Sequence, residues 1–142
     1  MFSKKFWLTF ILVFVTLEVS GYIIYSLIMG STFQDPDVSK AFRPEGEMMS
    51  KMWIVYLMDL VWSFFFTFFF VKGYENRGIM EGIRFGIFIG LFFSMVVSYQ
   101  SYVFYPLPYK FVLPMFLWGF VQSVLCGIVA ALVYKPKQQE AS

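Results

Sequence analysis

The sequence predicts an all-α, single-domain membrane protein, built as a bundle of four transmembrane helices. Three observations point there. Four apolar stretches, 6–28, 53–71, 85–105 and 112–134, each reach the roughly 20 residues that a helix needs to cross about 30 Å of hydrocarbon. Small residues recur every fourth position around the third and fourth stretches: Gly78, Gly82, Gly86, Gly90, Ser94 and Ser98, then Gly119, Ser123, Gly127 and Ala131. On a helix these positions stack into a side-chain-poor groove, which lets helices approach closely in lipid, where apolar burial gives no drive. Finally, of 142 residues 59% are hydrophobic and 23% aromatic, and only 14% are charged, too few to solvate a water-soluble surface of this size.

Composition also excludes. A formal charge of +2 gives no case for a nucleic-acid partner. There is no histidine, which removes the commonest general base, zinc ligand and haem ligand. Cys126 is the single cysteine, so neither an intrachain disulfide nor a thiolate cluster can form, and its apolar surroundings make it a packed thiol. No cofactor and no metal are expected.

The first span, 6–28, follows Lys4 and Lys5 as a signal peptide would. Its apolar run is too long for that, and Glu18 interrupts it with no small-x-small cleavage site, so a retained anchor is expected. The connection that follows carries turn signals at Asp35-Pro36 and Arg43-Pro44-Glu45-Gly46 and reads as a tether. The second span contains Phe64, Phe65, Phe66, Phe68, Phe69 and Phe70, apolar around most of its circumference and therefore expected to face lipid. Next comes a charged connection in which Asn76 is expected to cap the third helix and Glu81 to suit its positive first turn. Arg77–Glu81 and Glu81–Arg84 have the spacing of helical ion pairs, and Arg84 can snorkel at the membrane border. In the third span each four-residue step overshoots a full turn by about 40°, so its long groove should turn away from any one straight neighbour and serve two. Tyr105-Pro106-Leu107-Pro108-Tyr109 makes a tight hairpin, so the fourth span runs antiparallel beside the third. Trp7, Trp53, Tyr56, Tyr74, Tyr102, Tyr105, Tyr109 and Tyr134 fall near span ends, as interfacial rings do.

Four spans put both termini on one side. That side holds Lys4, Lys5, Lys72, Arg77, Arg84, Lys135 and Lys137, the other Lys40, Arg43, Lys51 and Lys110. Seven basic residues against four predict cytoplasmic termini.

A polar layer is the second signal. Glu18 follows Phe6 by 12 positions, Asp59 precedes Val71 by 12 and Gln122 precedes Tyr134 by 12, which sets all three about 18 Å from the same edge. Ser98 and Gln100 of the third span fall near that level, and Asp59, Ser63 and Thr67 share a helix face. Such groups should face the bundle interior, and with no cation at that depth the two acids are expected to stay protonated, share a proton or hold a cation.

Lys72-Gly73-Tyr74-Glu75, Gly78-Ile79 and Glu81-Gly82-Ile83-Arg84-Phe85-Gly86 resemble a segment of small uncharacterised bacterial membrane proteins with four spans. Arg43-Pro44-Glu45 and Met48-Met49-Ser50 resemble their outer loop. The resemblance implies the bacterial inner membrane and no particular activity. Glu18-Val19-Ser20-Gly21 is similar to the first-helix glutamate of small multidrug-resistance transporters, which in that family is a proton and substrate site. The longer outer loop and the extra Asp59 depart from that pattern.

The expected role is that of a non-enzymatic structural or accessory membrane protein, with a small proton- or cation-linked transporter as the alternative. No carboxylate pair lies beside a nucleophile at an interface, so no catalytic set is visible. The partners expected are the lipid bilayer and a second copy of the chain or another membrane protein.

Overall fold

The computed structural model describes residues 2–134. Lys135 and Lys137 of the basic-residue count therefore lie outside the described residues. Four helices are long and apolar enough to cross a membrane: Lys4–Leu27, Met52–Lys72, Ile79–Phe104 and Tyr109–Val133. Ser3 starts the first, its Oγ accepting the Phe6 N–H at 3.3 Å. The third begins at Ile79 rather than Phe85, because backbone hydrogen bonding continues where the apolar run ends. Glu81 and Arg84 accordingly sit on the helix.

The fourth span is central and packs along the third and the first, while the second leans mainly on the first. Spans three and four meet through their small residues. A Cβ on Gly86 would lie 2.5 Å from the Ser123 carbonyl oxygen and 2.6 Å from Val124 Cα. Gly82 and Gly127 each oppose the other's carbonyl, with Ala131 beside Gly82. Gly90 lies against Phe120, and Gly119 makes room for Ser94, whose hydroxyl donates to the Phe116 carbonyl at 3.0 Å. Ser123 donates to the Gly119 carbonyl at 2.9 Å.

Two expectations are corrected by this seam. Gly78 lies outside it: with φ +77 it ends the connection before the helix, and a Cβ added there would meet nothing within 4 Å. The remaining groove does not turn away to a second partner, since Gly82, Gly86, Gly90 and Ser94 all meet span four. The reason is a π turn over Gly90–Met95. A π turn is wider, so a four-residue step falls short of a full turn there, where in an α-helix it overshoots. The shortfall at the Gly90–Ser94 step takes back part of the drift of the two preceding steps, and these four residues stay on the side of span four.

The phenylalanine run is also divided, not uniformly lipid-facing. Phe66 and Phe70 are buried and reach Phe85 of span three at centroid distances of 4.9 and 5.5 Å. Phe64 stacks among Phe6, Trp7 and Phe10 of span one, which leaves Phe65 and Phe69 as the outward rings. Helical spacing separates these sets even where hydropathy does not. Cys126 is fully buried, its Sγ 3.7 Å from the Val13 carbonyl oxygen, a packed thiol between spans four and one.

The connection between spans one and two is folded over the start of span four, and is more than a tether. Short helices at Pro36–Ser39 and Glu45–Met49 bring Val38 into a cluster with Leu107, Phe111 and Val112. Phe33 and Phe42 meet Phe111 edge to face at 5.2 and 5.5 Å. Lys110 fixes the arrangement, donating to Asp35 at 2.6 Å, with Asp37 at 3.8 Å.

The Lys110 ammonium, then the Asp37 N–H, hold the Asp35 carboxyl below its usual 3.8. A depressed acid contributes its stabilisation in full above its unfolded value and loses it as pH falls through the folded one. The cap is therefore expected to be unaffected by pH above about 4 and to loosen below it. Asp35→Asn should loosen it at neutral pH as well, measured as faster amide hydrogen exchange over 33–42. Equal exchange in the variant and the parent would show that the apolar cluster holds the cap alone.

Candidate functional site: a cleft at mid-span

All four long helices contribute to a cleft of about 280 Å³ halfway along the spans. Met58, Asp59 and Trp62 line it from span two, Leu17 from span one, Ser94 and Ser98 from span three, and Met115 and Gln122 from span four. Span two packs mainly on span one and touches span four only lightly, which leaves Asp59 opposite the small-residue seam.

Glu18 adjoins Asp59, close enough for the two carboxyl groups to interact. Glu18 Oε1 is buried with no hydrogen-bond partner among the described residues. Both acids are half-buried rather than sealed, and the ion pairs among the described residues all lie outside this cleft. Two carboxyls in reach of each other can share one proton and release it when a cation or a hydrogen-bonding solute takes its place.

The predicted polar layer divides. Gln122 reaches span one, where its Nε2 donates to the Leu17 carbonyl at 2.9 Å and to Ser20 Oγ at 3.2 Å. Gly21 makes that possible, since a Cβ there would stand 3.1 Å from Nε2. Ser98 is buried and lines the cleft. Gln100 does not join it: two residues beyond Ser98, it points about 200° round the helix and is exposed. Ser63 and Thr67 are fully buried on the Asp59 face, their hydroxyls without partners among the described residues. Sequence reasoning missed Met58, Trp62, Leu17 and Met115 as lining, because apolar residues in an apolar span carry no mark of the cavity they border.

At the end where spans two and three connect, Glu81 lies in the first turn of the third helix as expected but forms neither of the expected ion pairs. Its carboxylate accepts the backbone N–H groups of Glu75 at 2.6 Å and Arg77 at 3.0 Å, closing the connection onto the helix start. Arg77 pairs with Glu75 at 2.8 Å instead of Glu81. Asn76 does not cap the helix: it takes a left-handed φ of 59, and its Oδ1 accepts the Tyr74 hydroxyl at 3.1 Å. Arg84 is exposed, with no carboxylate within 4.0 Å among the described residues. Tyr74 and Tyr134 meet edge to face at this end, 5.1 Å apart.

Among the described residues no group of three histidine, cysteine, aspartate or glutamate side chains could hold a metal ion. No family model, no curated protein and no solved structure matches this chain.

Proposed function

We propose that this chain is a non-enzymatic multi-pass membrane protein that binds a small solute in its mid-span cleft in exchange for a proton on the Glu18–Asp59 pair. One observation carries the reading: Asp59 lines an open cleft, with Glu18 in reach, and is not sealed in a dry helix contact. Ionisable groups are costly at this depth, so a pair left beside open space favours a working site over simple packing. The accessory reading draws on Gln122, whose amide joins spans four and one as plain interhelical glue. The four-span resemblance supports the bacterial inner membrane. The positive-inside bias supports cytoplasmic termini, to be checked with reporter fusions within 72–78 (active in the cytoplasm) and near Lys40 (active outside).

Water access separates the two roles. In a Cys126→Ala background, the thiol of Asp59→Cys should react with a small membrane-impermeant maleimide, while that of the outward-facing Phe65→Cys should not. An unreactive position 59 would assign the acids to dry helix packing and remove the solute site.

A further inference from the structure

A second cleft, of about 360 Å³, opens between spans two and three at the end where they connect. Its body is aromatic. Phe70 and Phe85 form the floor, their centroids 5.5 Å apart, while Phe69 and Phe88 stand at its sides, 53% and 69% exposed to the surroundings of the helices. A groove open sideways on a membrane-spanning helix pair faces acyl chains, so its apolar part fits a lipid tail.

The lip of the groove is polar and carries both signs of charge. Glu81 is held by two backbone N–H groups, which fixes the connection but leaves the other charges in place. Glu75 meets one cation, Arg77, through a single carboxylate oxygen. Arg84, also on the lip, has no carboxylate within 4.0 Å among the described residues. An open guanidinium suits a phosphate, and an open carboxylate oxygen suits an ammonium that can donate hydrogen bonds.

We propose that this groove is a phospholipid site selective for an ethanolamine headgroup, with Arg84 on the phosphate, Glu75 on the primary ammonium and the phenylalanines along an acyl chain. The shared chemistry is that of phosphoethanolamine. The sideways aromatic groove favours the lipid over the free headgroup. A phosphatidylglycerol offers no ammonium and would bring its negative charge beside Glu75 and Glu81. A phosphatidylcholine carries a quaternary ammonium with no N–H to donate to Glu75.

The test uses the full chain in nanodiscs containing phosphatidylethanolamine, phosphatidylcholine and phosphatidylglycerol with identical acyl chains in equal amounts. After mild extraction, retained lipid is counted by native mass spectrometry. Phosphatidylethanolamine should be retained about five-fold over either competitor, the upper end of what one solvent-exposed ion pair supplies. Glu75→Gln should reduce that preference to within about two-fold, whereas Arg84→Gln should lower retention of all three lipids, which share the phosphate, with Arg84→Lys keeping more of it than Arg84→Gln. If Arg84→Gln fails to accumulate, Glu75→Gln alone carries the test. Equal retention of the three lipids would overturn the proposal, as would a variant series that leaves the preference unchanged. A phosphatidylcholine preference would assign the site to the aromatic faces, and a phosphatidylglycerol preference to bare positive charge; either rejects it. Displacement of the lipid by millimolar free phosphoethanolamine would reject the lipid as the occupant.

Discussion

Gly86→Leu is expected to destabilise the protein by about 3 kcal/mol or more, the upper range for overpacking a tight contact. The first added atom already lies 2.5 Å from the Ser123 oxygen and 2.6 Å from Val124 Cα. Both are main-chain atoms, so no rotamer change can make room, and the helices must separate. Separation would also lift Gly82 from Gly127 and Ser94 from the Phe116 carbonyl, since they share the seam. Gly73→Leu is the control: its nearest neighbour beyond the local chain, the Phe69 carbonyl oxygen, is 3.7 Å from the added Cβ. Detergent melting of the two variants should therefore differ sharply. Equal, small shifts would mean that the two helices do not touch at Gly86.

The seam was legible because it depends on what is missing. A glycine every fourth residue removes Cβ atoms from one face whatever surrounds it, and a close approach is the main gain from doing so. The π turn over Gly90–Met95 was not legible, as its residues have no property that separates them from an α-helical run. It decides whether the groove serves one neighbour or two. Hydropathy likewise could not sort Phe66 from Phe65, since both suit lipid and core alike; contact with Phe85 made the difference. In the polar layer, depth was readable from counting but direction was not. Glu18 and Asp59 come together, while Gln122 finds a carbonyl on span one that only the packing offers. Asn76 shows the same limit in a loop, where a cap depends on backbone angles and here the left-handed φ is taken by Asn76 itself.

Replacing Asp59 with lysine should be far more harmful when Glu18 is also neutralised. Glu18→Gln and Asp59→Asn keep hydrogen-bonding groups of nearly the same size at half-buried positions, so each should accumulate and melt close to the parent. Asp59→Lys introduces a cation at mid-span, where an uncompensated charge is costly to insert. Glu18 stands beside it and can ionise to meet it, so this single variant should accumulate at a reduced level. In Glu18→Gln/Asp59→Lys no counter-ion remains, and the described ion-pairing carboxylates all belong to the end connections. An unpaired cation at this depth costs about 3 kcal/mol to insert, a large share of the roughly 5–15 kcal/mol that holds a domain together, so the double variant should accumulate least of the four. Membrane accumulation and detergent melting across the four combinations form a double-mutant cycle, and the coupling measures contact between the two sites directly. Additive effects would place the acids apart and remove the shared proton on which the solute-exchange reading rests. Strong coupling alone would fit dry glue as well, so the cycle tests the contact, and reagent access at position 59 tests the cleft.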